Sequence, residues 1–318
     1  MKSSKIIIGS LGLTLVVVVA ITMYTPSLDD LFVENPYWNG LSTVYREHDP
    51  IRLDSLEQWD TYLVPADNSS MFIIGPDQGF SEADALAVHD YLGDGGRVVL
   101  MDDFGSGNQL LELLGVRTRF TGEKLLDPLF FELDHGLPVL LDVKFSGVDE
   151  VVLNLPTGLS GEGVVLARSS SFSYLESGED ETELESIPII MRVNVDGGEL
   201  IIIGDSSIFI NSMIDYRDNR KLLEVLVRDQ MFIDESHLLP TRLTRAKEFF
   251  RRVHGFFQRA ELRYLCIAGL GVLLFKFKWE TGEPVEEDDV NRVLMSHPGW
   301  SRWQVEQIKK QRMEYGTG

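Results

Sequence analysis

The chain has 318 residues, 44% of them hydrophobic, and a formal charge of −21. Length and apolar content suffice for a full buried core, in one large domain or two smaller ones, whereas so acidic a balance argues against nucleic acid as the main partner, because a phosphate backbone calls for a basic surface. The single cysteine, Cys266, excludes an intramolecular disulfide and any CxxC-type zinc or redox motif.

The remaining acids read as a solvated, mutually repelling face suited to a salty exterior. Cys266 lies in an apolar run, where it packs as a small hydrophobe. From the N-terminus, Ile6 to Met23 carries no charge and reaches roughly 27 Å as a helix, nearly the thickness of a bilayer core. A cleavable signal peptide is the competing reading. Against it, the stretch is long for an h-region and Thr22-Met23-Tyr24-Thr25 offers no A-x-A-like site, so residues 1–27 are expected to be an uncleaved anchor. Lys2 and Lys5 precede the run while Asp29, Asp30 and Glu34 follow it. By the positive-inside rule the N-terminus is then cytoplasmic and the domain that follows extracytoplasmic.

Residues 28–240 read as an α/β domain. Glu34 to Arg46 is turn-rich and aromatic, with Tyr37 and Trp38 suited to a membrane interface or to the underside of the domain. Leu53 to Leu63 reads as a short helix. Met71 to Asn108 then carries one βαβ unit, which implies a parallel sheet with helices on both faces. Met71 to Ile74 is a buried strand closed by Gly75-Pro76, and Ser81 is placed to cap a helix with Glu82 and Asp84 in its first turn. Gly93, Gly95 and Gly96 end that helix, Val98 to Met101 is the next strand, and the chain leaves it through Asp102-Asp103-Phe104-Gly105-Ser106-Gly107-Asn108. Ligands of open α/β sheets gather beyond the carboxyl ends of strands, so this loop is the first place to look for a site.

A helix follows from Asn108 to Leu114, with Asn108 as its cap, and signals weaken from Val116 to Gly147. Val151 to Leu155 and Val164 to Arg168 read as strands separated by the loop Pro156-Thr157-Gly158. Ser177 to Ser186 is an acidic exposed run. Ile187 to Val195 and Glu199 to Ile203 flank Asp196-Gly197-Gly198, a strong hairpin signal. The second of these strands runs into Gly204-Asp205-Ser206-Ser207-Ile208-Phe209-Ile210-Asn211, repeating the first loop's pattern of a buried strand ended by small and acidic residues. A helix is expected over Arg217 to Asp229, and Met231 to Ile233 is a strand delivering Asp234, Glu235, Ser236 and His237 to the same edge.

Thr241 to Arg263 forms a basic amphipathic helix. Residues 264–279 form a second membrane segment that either spans or lies in the interface; spanning returns the chain inside, yet more basic residues precede the segment than follow it. Residues 280–318 are a tail with a helix around Trp303 to Arg312.

The opening anchor, Asn35-Pro36-x-Trp38-Asn39-Gly40, DDFGSGN, GDSSIFIN and DESH together resemble the prokaryotic family called domain of unknown function 4350, over about Asn35 to His237 and on to the second apolar segment. The resemblance implies a class I glutamine-amidotransferase-like α/β fold, a membrane anchor on each side, and association with AAA-type ATPases and von Willebrand A-like proteins. It implies no activity.

An amidotransferase of that fold needs a cysteine on the turn after a strand, poised by a histidine. The turn after Val98 to Met101 offers Asp102, Asp103 and Ser106 instead, so glutamine hydrolysis by that route is excluded. Ser106 lacks the G-x-S-x-G spacing of a nucleophile elbow. Gly105-x-Gly107 is only a fragment of a dinucleotide fingerprint, since Leu110 stands where its third glycine belongs; helix initiation explains it better, with anion binding by free N–H groups still reasonable. Asp102, Asp103, Asp205, Asp234, Glu235 and His237 converge on one edge, a set able to hold a divalent cation or do acid–base work, against the plainer reading that they cap helices and bond loop backbone. His48, His89, His135, His254 and His297 have no partner identifiable from sequence. Asn68-Ser69-Ser70 is a glycosylation sequon that matters only if the domain is external.

The expected molecule is a membrane-anchored, non-catalytic domain, with no cofactor or metal, that binds a ligand or partner through Asp102, Asp103, Gly105, Gly107, Asn108, Asp205, Ser206, Asn211, Glu235 and His237. The alternatives are a metal-assisted hydrolase using the acidic cluster and a purely structural scaffold.

Overall fold

In a computed structural model the described residues are 2–176, 184–258, 264, 268 and 287–315. The chain divides into two compact units, Met1–Glu248 and Phe249–Gly318. The first holds a seven-stranded sheet in the order β1-β12-β2-β3-β11-β10-β8. Its strands are β1 (Ile51–Leu53), β2 (Ser69–Ile74), β3 (Arg97–Met101), β8 (Val164–Arg168), β10 (Pro188–Val195), β11 (Gly198–Ile203) and β12 (Gln230–Asp234). From β1 to β11 every neighbouring pair is parallel; β10 runs antiparallel to β11, and β8 antiparallel to β10. The β10–β11 pair is the hairpin expected around Asp196-Gly197-Gly198.

Both faces of this sheet are covered because its central strands carry continuous apolar runs, 71–74, 98–101, 200–203 and 231–233, all buried. Successive residues point to opposite faces. Met71 and Ile73 pack with Val98, Leu100, Ile202 and Phe232 against Val88, Tyr91 and Leu92 of α3 (Glu82–Gly93). Phe72 and Ile74 pack with Val99, Met101, Ile201 and Ile203 against Leu222, Leu223 and Leu226 of α5 (Asn219–Leu226). Ser81 opens α3 with a capping box: its Oγ accepts from the Asp84 N–H (3.2 Å) and its own N–H donates to Asp84 Oδ2 (2.8 Å), an arrangement that stabilises a helix start by ~1 kcal/mol. α5 is shorter than Arg217 to Asp229, since Arg217 stands at φ +45°, Asp218 is the residue before the helix, and Val227 is already extended.

Four further strands were not legible as such, and a fifth, Val151–Val152, is the start of the strand expected over Val151 to Leu155. β4 (Arg119–Leu126) lies between β7 (Thr157–Ser160) and β9 (Tyr174–Leu175) in a small sheet, and β5 (Val139–Leu140) pairs with β6 (Val151–Val152). Pro156-Thr157-Gly158 is therefore the entry to a strand and not a loop between two. The Thr157 N–H donates to the Gly204 carbonyl (2.7 Å) and its Oγ1 to the Glu123 carbonyl (2.8 Å), so its polar groups are satisfied by pairing. Leu56–Tyr62 is a 3-10 helix, within the stretch read as a short helix.

Flanking elements are α1 (Lys2–Tyr24), α2 (Ser42–His48) and α6 (Arg242–Gln258). Among the described residues no helix is long and apolar enough to cross a membrane. Of α1, the side chains of residues 2–9, 15 and 16 lie outside what is described, as does the segment 264–279 apart from Tyr264 and Ala268. Cys266 and residues 177–183 of the acidic run also lie outside the described residues. In the second unit, helices Glu287–Ser296 and Arg302–Tyr315 bury Val290 and Val305, and His297 stacks on Trp300 with ring centroids 4.7 Å apart. The second of these helices covers the one expected around Trp303 to Arg312.

Candidate functional site

The loops after β2, β3, β11 and β12 share the carboxyl edge of the parallel strands. β3 and β11 are in register from Arg97 with Glu199 to Met101 with Ile203, and the Asp102 N–H extends the ladder to the Ile203 carbonyl (3.1 Å). The buried Asp102 carboxylate then turns into its own loop. Oδ1 accepts from the N–H groups of Asp103 (2.8 Å) and Gly105 (2.9 Å), and Oδ2 accepts from Gly107 (2.7 Å). Burial pushes this carboxyl up to about 6 against the pull of those donors.

The same contacts explain the two glycines. A Cβ at position 105 would stand 2.4 Å from the Pro76 carbonyl oxygen and 2.7 Å from Asp102 Oδ1, and one at 107 would stand 2.7 Å from Asp102 Oδ2. Gly105-x-Gly107 is thus a cradle for the chain's own carboxylate. α4 (Gly107–Leu113) starts here, and Asn108 is not its cap. The Asn108 side chain instead bridges to β4, Nδ2 donating to the Phe120 carbonyl and Oδ1 accepting from the Phe120 N–H, both at 2.9 Å. Asn108→Ala should cost about 1–2 kcal/mol in urea unfolding, since two half-buried main-chain groups lose their partner.

Asp103 is half-buried. Its Oδ1 accepts from the Phe104 N–H (2.9 Å) and its Oδ2 from Ser206 Oγ (3.1 Å), and burial pushes it up, with Asp77 adding to the effect. Asp205 is fully buried: Oδ2 accepts from the Asn154 N–H (2.7 Å), and Oδ1 from the Ser207 N–H (2.7 Å) and Oγ (2.9 Å). Burial, helped by the neighbouring Asp103, raises it to about 7. Asp102, Asp103, Gly105, Gly107, Asp205 and Ser206 therefore meet on one rim.

The other expected residues are placed differently. Glu235 faces the N-terminal loop, its Oε1 accepting from the Val33 N–H (3.0 Å) and its Oε2 from Arg52 Nε (2.7 Å), while Arg52 also holds Glu34 at 2.7 Å. Burial pushes Glu235 up against the pull of Arg52. His237 is clamped between two carboxylates, Nδ1 to Asp234 Oδ2 at 2.7 Å and Nε2 to Asp84 Oδ2 at 3.5 Å, and stacks on Phe80 at 4.1 Å. Burial works against its charge, but Asp234 and Asp84 outweigh it and raise the imidazole's pKa. Asn211 anchors the aromatic loop: Oδ1 accepts from the Thr43 N–H (2.8 Å) and Nδ2 donates to the carbonyls of Asn35 (3.1 Å) and Tyr37 (2.6 Å).

That loop lies over the rim. Gly75, at φ +55°, leaves β2 so close to it that a Cβ would stand 2.3 Å from Leu31 Cδ1. Among the described residues no group of three His, Cys, Asp or Glu is arranged to hold a metal ion. Sequence reasoning missed Arg52, Asn154 and Asn219, whose partners lie far along the chain and leave no local signal.

The sequence model of the family described as "Domain of unknown function (DUF4350)" matches residues 33–227, more than half of the chain. The chain belongs to this family. The matched span of this DUF4350 member runs from Val33 to Val227 and takes in Asp102, Asp103, Asp205 and Asn211, while Glu235 and His237 fall beyond it. No curated protein matches it. Solved structures similar to it include an mmIFT52 N-terminal domain, 17% identical with a TM-score of 0.42, where the likeness covers 54% of this chain and 79% of the other. A beta-galactosidase from Bacillus circulans sp. alkalophilus is 10% identical with a TM-score of 0.32, covering 49% of this chain and 22% of the enzyme. A putative ThuA-like protein from Bacteroides uniformis is 12% identical with a TM-score of 0.30, covering 49% and 66%.

Proposed function

We propose that this chain is a membrane-anchored, non-catalytic α/β domain that recognises a partner at the carboxyl edge of its sheet, as one component of a membrane-associated complex. The fold is of the amidotransferase or flavodoxin type, the source prokaryotic, and the domain extracytoplasmic with the N-terminus inside. AAA-type ATPases and von Willebrand A-like proteins are the partners that the family resemblance implies.

The observation that carries the reading is how the rim acids are used. Both oxygens of Asp102 are occupied by N–H donors of its own loop, and both oxygens of Asp205 by the Ser207 N–H and hydroxyl and by the Asn154 N–H of a neighbouring loop, so these carboxylates act as fasteners for the edge. What the edge offers outward is Phe104, half exposed, with Asp77, Asp103 and Ser206 around it. An exposed aromatic beside Asp103, with the exposed Asp77 close enough to act on that carboxylate, suits a partner that presents an apolar pocket with a basic residue at its mouth. The anchor is supported by the uncharged run Ile6 to Met23 and by Leu11, Leu13, Val17, Val18 and Ile21, all exposed around α1.

The test is co-purification of the full chain from cross-linked membranes. Phe104→Ala and Asp103→Ala should each cut recovery of the co-purifying protein at least several-fold, while Asp94→Ala at the opposite edge leaves it unchanged. Equal recovery with all three variants would remove the proposed edge.

A further inference from the structure

The stretch between α1 and the sheet is short and tied down. After α1, the Thr25 N–H and Oγ1 still bond the Ile21 carbonyl, at 2.9 and 2.7 Å. The buried Lys247 of α6 then donates to the Thr25 carbonyl, Ser27 Oγ meets Thr244 Oγ1 at 3.4 Å, and Asp29 Oδ2 accepts from the Thr241 N–H at 3.0 Å. Each helix end is thus completed by the other segment: a cation sits where α1 ends and a carboxylate where α6 begins, which is the favourable sense for both dipoles. Asn35 Nδ2 donates to the Asp29 carbonyl (2.8 Å), and the Leu31 N–H to the Asn39 carbonyl (2.9 Å), so loop 28–41 belongs to the same rigid junction.

This junction exposes large apolar side chains where a water-facing loop would be polar: Leu28 at 54%, Tyr37 at 47%, Trp38 at 68% and Leu239 at 60%. Leu28 is only five residues beyond Met23, a reach of at most about 17 Å. Arg242 and Arg245 are exposed on the adjoining start of α6. Aromatic rings and aliphatic side chains flanked by arginines suit the headgroup layer, where rings lie at the boundary and guanidinium groups meet lipid phosphate.

We infer that the face formed by loop 28–41 and the start of α6 docks on the lipid surface, with Trp38 and Leu28 at the depth of the headgroup–acyl boundary. The inference rests on the anchor proposed above and goes beyond it, because a tethered domain need not touch the bilayer. Docking fixes the carboxyl edge of the sheet close to the membrane plane, so that Phe104 meets a partner held in the same bilayer.

The test uses the full chain with Cys266→Ser, carrying an environment-sensitive dye on Trp38→Cys or, for comparison, on Asp94→Cys. The chain is reconstituted in vesicles of phosphatidylcholine and phosphatidylglycerol, with flotation to score anchoring and doxyl-labelled lipid as quencher. The expected result is flotation of both labelled chains with several-fold stronger quenching at position 38 than at 94, reduced when Leu28→Glu and Leu239→Glu are added. Flotation with equal, water-like signals at the two positions overturns docking while leaving the anchor standing. Failure to float overturns both. Shielding at position 38 that persists in detergent without lipid quenching assigns the face to contact between copies of this chain, and also overturns the inference.

Discussion

Asn219→Ala is expected to be the most damaging single change in the domain, costing about 3–5 kcal/mol in urea unfolding. The residue is fully buried at the first position of α5. Its Oδ1 accepts from the Val152 N–H (2.9 Å), and its Nδ2 donates to the carbonyls of Val152 and Met213, both at 2.9 Å. One side chain therefore joins β6, the turn before α5 and the helix itself. Removing it takes the side-chain partner from both the N–H and the carbonyl of Val152, each at a cost of about 1–3 kcal/mol before relaxation, while the Met213 carbonyl keeps the Tyr216 N–H (3.0 Å). Asn219→Asp keeps the acceptor but turns a carboxylate toward two carbonyls, so it should be at least as harmful. A loss of under about 1 kcal/mol for both variants would mean that the β5–β6 pair is held by other contacts.

The second large effect is a fall of stability with rising pH. Asp205 and Asp102 have carboxyl groups raised by burial to about 7 and about 6. A raised carboxyl means that the folded chain holds more protons than the unfolded one between the two pKa values. Its contribution is fully present below the unfolded value of 3.8 and is lost as pH rises through the folded one. His237, raised above its ordinary 6.5, acts in the same direction, stabilising below that value and less above its folded pKa. Asp84, Asp127 and Glu199 oppose this at the acid end. Burial raises each, but Ser81, the Phe130 N–H with Ser170, and Arg97 respectively hold them below their ordinary values, so they stabilise above about pH 4 and lose that effect in acid. The melting temperature should therefore peak near pH 4 and fall by about 5–10 °C by pH 8, a change on the order of 2–4 kcal/mol. Asp205→Asn should flatten much of the upper slope. High salt screens repulsion among surface acids but not the burial of Asp205, so the slope should survive 1 M salt; a slope abolished by salt would assign it to the net charge of −21 instead.

How much of this was legible in the sequence follows from the range of the interactions. The β2-α3-β3 unit and the β10–β11 hairpin announce themselves through continuous apolar runs and local caps, because their stabilising contacts are near in sequence. The meeting of Asp102, Asp103 and Asp205 was legible too, since strands that end on equivalent residues in a parallel sheet bring their following loops to one edge. β4 was not, because only two of its eight residues, Phe120 and Leu125, are buried and its partners lie tens of residues away. Nor does anything near Glu235 point to Arg52, 183 positions distant. Asn108 shows the limit of a local rule: it sits where a cap is expected, yet its side chain finds Phe120.

The central claim is that the rim carboxylates hold the edge together and leave recognition to the surface around Phe104. Thermal unfolding of the full chain in detergent, with and without added Mg²⁺, Ca²⁺ or Zn²⁺, tests it most directly. The account predicts a wild-type midpoint unchanged by any of the ions, and a midpoint for Asp205→Ala lowered by several degrees equally with and without them. A wild-type midpoint that rises by several degrees with one ion, and no longer does so in Asp103→Ala or Asp205→Ala, would contradict it.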